Sequence, residues 1–418
     1  MRVANTSALV MFMIVAGHVE AGKLRDTMAT LYGGDGITLR NTGVFDHAAH
    51  FNQDSLEALS EFSAQAFRVE APLISVDSGA VFEYDEVIED FVEVPGTLGS
   101  LFAERPQTLG EGRLTVGFNY SDRRFRNFEG QNLSDISVSL GHLDLNAPGV
   151  DVCIGGPPGA CYTFEQDHVI VDLDIDLQVR TLQLYADYGL SERLDVGVIV
   201  PLQRTTLDVH AQGRVEAHES SRFLVNRTLH AFDPLGIDGD AALSEASDRA
   251  SGLGDVLLIG KYGLYRGETL SLSLVTQLRM PTGDEKNFSG TGHWGGRTAI
   301  LAASIYRLRE ETTLSPHLNL AFDVNSTAEG TDLVQIIAGV DYGFRIVGIQ
   351  SSVSLDVVHK SSIDHRQGAG DDLTDLAVGY KWRMGASSSG FIGTRLPLDK
   401  RQGLRPDVAF EIGGQLAF

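Results

Sequence analysis

The chain is 418 residues long, with 56 acidic against 33 basic residues and a formal net charge of −23. That balance excludes a nucleic-acid-binding surface, which has to be basic. Its 46 glycines and 8% aromatic residues suit many strands and turns, and beyond residue 21 no apolar run approaches the roughly 20 residues a membrane helix needs.

At the start of the chain one basic residue, Arg2, precedes the apolar run ALVMFMIVAG, which ends on Val19-Glu20-Ala21. This is the pattern of an export signal, residues 1–21, cleaved after Ala21. Residues 22–111 do not read as membrane strand. They include an alternating acidic segment from Val81 to Val94 and are too apolar in patches for a solvated tail. They form either a plug that enters a barrel from the periplasm or a periplasmic segment beside it.

From residue 112 the pattern alternates. Leu270, Leu272, Leu274, Leu278 and Met280 alternate with Ser271, Ser273, Gln277 and Arg279, apolar toward lipid and polar toward a lumen. Runs of this kind are read at 112–121, 168–189, 194–212, 253–265, 269–281, 296–308, 312–325, 331–345, 349–360, 373–385, 389–397 and 407–418. The expected fold is all-β, a transmembrane antiparallel up-and-down β-barrel of about twelve strands over 112–418, an even number as single-chain bacterial barrels require. The two longest runs change phase midway. Val169 to Val179 is apolar at odd positions, whereas Leu182, Leu184 and Tyr188 are even. Such a slip predicts a β-bulge in each run.

Five tyrosines, Tyr188, Tyr262, Tyr306, Tyr342 and Tyr380, each close an alternating run just before a short polar turn. An aromatic residue at that place in hairpin after hairpin marks the water interface of a barrel, here its periplasmic rim. The other connections, 122–167, 213–252, 282–295, 326–330, 361–372 and 398–406, are mostly longer and are expected outside the cell. In the first of them Cys153 and Cys161 bracket IGGPPGA, and export to an oxidising compartment predicts a small loop disulfide. Ile136, Val138 and Leu140 alternate in the same loop, as an extra strand above the membrane would.

The parity of each run assigns its inward side chains. Arg113, Asp187, Asp195, Asp255, Lys261, Arg279, His317, Asp323, Asp341, Arg345, Asp356, Lys381, Arg383 and Glu411 are the lumen-lining candidates. Charges of both signs facing one lumen either seal a narrow barrel or line a wet channel. No catalytic, cofactor-binding or metal-ligating residue is assigned. Asp172, Asp174 and Asp176 point the same way along one strand rather than converging as a cation cage must, and no cofactor is called for. A lipid hydrolase would need a serine beside a histidine on the outer surface; neither His317 nor His359 has such a partner at a spacing that demonstrates it.

Two resemblances complete the reading. Glu411-x-Gly413-x-x-Leu416-x-Phe418 resembles the C-terminal assembly signal of bacterial outer-membrane proteins. Four further segments, Ser100-Leu101-Phe102-Ala103-Glu104-Arg105 with Thr108-Leu109-Gly110-Glu111-Gly112, then Gly189 to Gly197, Gly252 to Val256, and Pro281-Thr282-Gly283-Asp284, resemble outer-membrane transporters of the phenol-degradation (meta-pathway) type. The resemblance implies residence in the outer membrane of a Gram-negative bacterium, contact with outer-membrane lipid and the barrel-assembly machinery, and a small hydrophobic or aromatic cargo passing by passive or gated diffusion. The alternative is a structural or adhesive barrel acting through its extracellular loops. The oligomeric state is not written in the sequence.

Overall fold

The structure is a computed structural model that describes residues 24–31, 36–39, 82–85, 90–93, 98–140, 168–216, 232, 241–267, 269–309, 311–326, 332–363, 372–385, 387–401 and 403–418. The export signal, Cys153 and Cys161 lie outside the described residues.

Twelve strands make the wall: β1 Leu114–Phe128, β2 His168–Ser191, β3 Leu194–Glu216, β4 Val256–Arg266, β5 Leu270–Met280, β6 Gly295–Ser304, β7 Thr312–Asn325, β8 Leu333–Ile346, β9 Ile349–Ser362, β10 Asp372–Arg383, β11 Ser388–Pro397 and β12 Leu404–Ala417. Each pairs antiparallel with the next, and β1 pairs with both β2 and β12, so the sheet closes on itself. The closing contact runs to the last residue: the Leu114 N–H donates to the Phe418 carbonyl at 3.1 Å and the Phe418 N–H to that of Leu114 at 2.8 Å. Closure removes the unpaired edges that an open sheet would expose to lipid.

Four shorter pieces join this sheet. Tyr306–Arg309 extends β6 along β7, Gln131–Asn132 pairs with the top of β1, Ile136–Leu140 pairs with the upper part of β2, and Ala241–Leu253 continues β4 upward along β3. The last of these lies in what the sequence suggested was a loop, 213–252. It was missed because its outward residues, such as Glu245, Ser247 and Arg249, are polar, whereas a membrane strand is recognised by outward apolar ones. A separate hairpin pairs Phe82–Asp85 with Asp90–Glu93, within the alternating acidic segment.

At the end of the barrel marked by the tyrosines the turns are tight. Between β8 and β9 only Val347 and Gly348 intervene, at φ 50° and 79°, as a two-residue hairpin with left-handed central residues requires. The other end carries the long connections. These are called here the turn end and the loop end.

The β2–β3 register runs unbroken from His168 opposite Glu216 to Gly189 opposite Asp195. No bulge lies where the hydrophobic phase changes, which corrects the sequence expectation. Odd side chains of β2 face inward along its whole length; what changes is their chemistry. From Val169 to Val179 they are apolar and buried, with Asp172, Asp174 and Asp176 facing out. From Thr181 to Asp187 they are mostly polar, with Leu182, Leu184 and Tyr188 facing out. The medium outside the wall changes from water to hydrocarbon between Arg180 and Leu182, so the side-chain pattern inverts while the backbone continues.

Candidate functional site: the lumen

In the membrane-spanning part the wall offers an inner surface of mixed chemistry. Tyr185, Ile199, Leu257, Ile259, Val275, Leu301, Ile337, Val358 and Phe391 are buried inside it. So are Asp187, Asp195, Lys261, His317, Asp341, Asp356, Lys381 and Glu411. Against this surface lie residues 98–109, immediately before β1.

Leu101 and Phe102 of this segment pack into the apolar cluster. Glycines make the room: a side chain at Gly379 or Gly393 would strike Leu101, and one at Gly189 would strike the Gly110 backbone. The Arg395 guanidinium sits 5.7 Å over the Phe102 ring, a cation–π distance. Polar anchors fix the segment along its length. The Ser100 hydroxyl donates to Asp356 at 2.7 Å and accepts the N–H groups of Phe102 and Ala103, each at 3.0 Å, which closes a tight turn against the wall. Glu104 pairs with Lys261 at 2.7 Å. Ser273 donates to the Pro106 carbonyl. Thr108 donates to the Glu192 carbonyl at 2.8 Å and accepts from Arg266 at 2.7 Å, and the Leu109 N–H donates to Asp195 at 2.9 Å. Buried polar groups have to find partners, and these contacts pair several polar groups of the segment with the wall.

The remaining lumen candidates fall into separate groups. His317 lies between two carboxylates, with Nε2 2.5 Å from Asp356 and Nδ1 3.7 Å from Asp341. Glu411 stands 3.8 Å from Arg395 and accepts from Asn119 at 3.5 Å. Toward the loop end, Arg279 is 3.9 Å from Asp255 and Arg297 is 3.6 Å from Asp323. Arg113 and Arg383 line a cavity of about 560 Å³ at the turn end, together with Leu98, Leu109 and Phe418. Asp187 is buried against Gly197, where a side chain would strike its carboxylate. Lys381 is buried on β10. Arg345 differs from the rest, since it is exposed at the turn end and pairs with Glu311 at 3.3 Å.

Of the tyrosines, Tyr188, Tyr262, Tyr306 and Tyr342 are exposed on the outer face, and Tyr380 is half-buried beside Trp382, its ring stacked at 5.5 Å. Gly413 packs beneath the Phe391 ring, while Leu416 and Phe418 are exposed. His359 Nδ1 is 2.9 Å from the Thr374 hydroxyl.

At the loop end a second part of the N-terminal region is enclosed. Leu24, Met28, Leu31, Ile37 and Leu39 pack against Val171, Leu173, Ile175, Val209 and Ala211 on the inner face of the extended strands. The Leu24 N–H reaches Asn287 at 3.3 Å, and Phe288 of the β5–β6 connection is buried in the same cluster.

Ser100, Leu101, Phe102 and Glu104 lie in the lumen although the pattern of strands did not assign them there. The available signal was a dense run, SLFAER, with apolar groups and opposite charges together but no alternation.

A closed antiparallel barrel with an apolar outer band and a filled lumen defines a transmembrane β-barrel of the up-and-down class. Within it, residues 171–344 match the family described as "Putative MetA-pathway of phenol degradation". The motifs at 189–197, 252–256 and 281–284 fall inside that match, and the lumen segment falls before it. Solved structures of similar architecture include an outer membrane channel from Pseudomonas putida F1, 13% identical, covering 75% of this chain and 97% of that one at a TM-score of 0.39. The β domain of the Bordetella autotransporter BrkA is 10% identical, with 73% and 99% covered and a TM-score of 0.36. The Ralstonia pickettii toluene transporter TbuX is 12% identical, with 75% and 92% covered and a TM-score of 0.33. No curated protein matches the chain.

Proposed function

We propose that this chain is an outer-membrane channel of a Gram-negative bacterium for small hydrophobic or aromatic compounds, with residues 98–109 as the plug of its lumen. The tyrosine rim then faces the periplasm and the loop end faces the outside. The observation that carries the proposal is the apolar cluster that residues 98–109 complete within an interior of mixed chemistry. A general pore keeps a wet polar lumen, whereas here Leu101 and Phe102 complete a cluster with Tyr185, Leu257, Leu301, Ile337 and Phe391 inside the membrane-spanning part. A small apolar solute can replace side-chain contacts within that cluster, where water and ions find no polar partner. The family match to a phenol-degradation description supports an aromatic cargo. The cavity between Leu98, Leu109, Arg113 and Phe418 would receive it at the periplasmic end.

Reconstitution tests this directly. In proteoliposomes the protein should give little ion conductance or sugar-driven swelling, and should speed entry of a radiolabelled monoaromatic hydrocarbon over protein-free vesicles. Free passage of sugars would establish a general pore instead, and a barrel that passes neither class would end the channel reading.

A further inference from the structure

Above the apolar band, the outer face of β1, β2, β3 and the 241–253 strand carries its charges in rows set by the register. Tyr120, Leu182, Leu202 and Leu253 form the last apolar row. Asp122, Arg180, Arg204 and Ser251 form the next, and Arg124, Gln178, Thr206 and Arg249 the one after it. Apart from Asp122, acidic residues appear only above these, with Asp176 opposite Asp208 and then Asp174 and Glu245 flanking His210. Four guanidinium groups therefore occupy the first two rows above the lipid boundary, on a chain whose net charge is −23. Two residues of strand rise only about 7 Å.

The basic rows are under-neutralised. Arg180 stands directly opposite Arg204, an arrangement that like charges disfavour. Asp122 accepts from Arg180 at 3.2 Å, but its other oxygen is taken by Gln178 at 2.8 Å. Arg124 is held by both oxygens of Asp176. Arg204 and Arg249 are exposed, diagonal neighbours across the β3 pairing, and neither guanidinium has a hydrogen bond or ion pair among the described residues.

The geometry points to a docking surface for the phosphate groups of a phosphorylated lipid of the outer leaflet, seated between Arg180, Arg204 and Arg249. Three arguments converge on that occupant. A phosphate would relieve the opposed guanidinium charges through charge-assisted hydrogen bonds. Its acyl chains would lie along Leu182, Leu184, Leu202 and Leu253 directly below. The acidic rows above would confine the anion to the height at which a lipid carries its phosphates. The inference rests on the proposed orientation, with the loop end outward.

Wild-type protein and the Arg204→Gln/Arg249→Gln variant, both in detergent micelles, would be titrated with bisphosphorylated lipid A, its dephosphorylated form and inorganic phosphate, with bound species counted by native mass spectrometry. Heat-modifiable gel mobility shows that each barrel is folded. Wild-type protein should retain lipid A, and the variant should bind it about tenfold more weakly, one charged hydrogen bond's worth. Dephosphorylated lipid A should bind wild-type protein as weakly as lipid A binds the variant. Equal binding by the two proteins, or by the two lipids, overturns the proposal. Inorganic phosphate binding as tightly as lipid A would show a free-anion site and overturn the lipid as its occupant. Labelling of a Ser251→Cys variant on intact cells with an impermeant thiol reagent tests the orientation separately, since the micelle titration does not depend on it.

Discussion

Strands β2 and β3 carry polar side chains outward near residues 168–180 and apolar ones outward from Leu182, with one uninterrupted register through both parts. In the upper part Leu173, Leu177, Leu207 and Val209 point inward onto Leu24, Met28 and Leu31, as in a water-soluble sheet with an apolar core. In the lower part the outer surface is the apolar one, and the interior has to pair its own polar groups, as Glu104 does with Lys261 and Ser100 with Asp356. The comparison teaches that side-chain alternation reports the contrast between two media, not the path of the backbone. A phase change read along a strand therefore locates a solvent boundary as readily as a bulge.

That contrast can be broken from either side. Leu207→Asp would bury an unpaired carboxylate in the upper core and should cost about 4 kcal/mol or more. Limited proteolysis should then open the loop end while the spanning barrel keeps its heat-modifiable mobility. Ile300 faces lipid from the middle of β6, and Ile300→Arg should cost about 2–4 kcal/mol of barrel stability in lipid. Asp174→Leu, on the exposed upper face of β2, should stay within about 0.5 kcal/mol; comparable losses for these two in urea titrations of the reconstituted barrel would erase the distinction. Ser100→Ala removes a donor from the buried Asp356 and should weaken the hold on the plug by about 1.5–3 kcal/mol. Single-channel recording should show brief ion-conducting openings that wild-type protein lacks.

The smallest effect concerns the β11–β12 connection. The Arg401 guanidinium and N–H hold the Asp399 carboxyl below its ordinary range. A lowered carboxylate stabilises above the unfolded value, near pH 4, and loses that contribution as pH falls through the folded one. The protection of the Arg401 amide against exchange, measured relative to its intrinsic rate at each pH, should therefore be unchanged from neutral pH to about pH 4 and fall below it.

The lower half was legible in the sequence because lipid imposes a strict rule on every second residue. All twelve strands, including the last one, which stops one residue short of Phe418, show outward apolar positions, and the turns after Tyr188 and Tyr342 come where the pattern stops. The upper half was less legible. Ala241–Leu253 faces water with Glu245 and Arg249, so it lacks the membrane signature, and only its pairing with β3 makes it a strand. The plug was hidden for a different reason. Ser100 to Leu109 has no regular element of its own, and its conformation is dictated by partners such as Lys261, Asp356 and Asp195 that lie 86 to 256 positions away in sequence.

The pairing of Leu114 with Phe418 joins the first wall strand to the final residue of the chain. Until that contact forms the wall is an open ribbon, and the segment ending at Gly112 hangs from the very edge that must zip shut. Enclosing the plug then requires no threading of a loose end through a finished ring. The ribbon can curl around a segment already tethered to its margin, and closure traps it inside. Topology thereby allows the lumen to be occupied before or while the cylinder is completed.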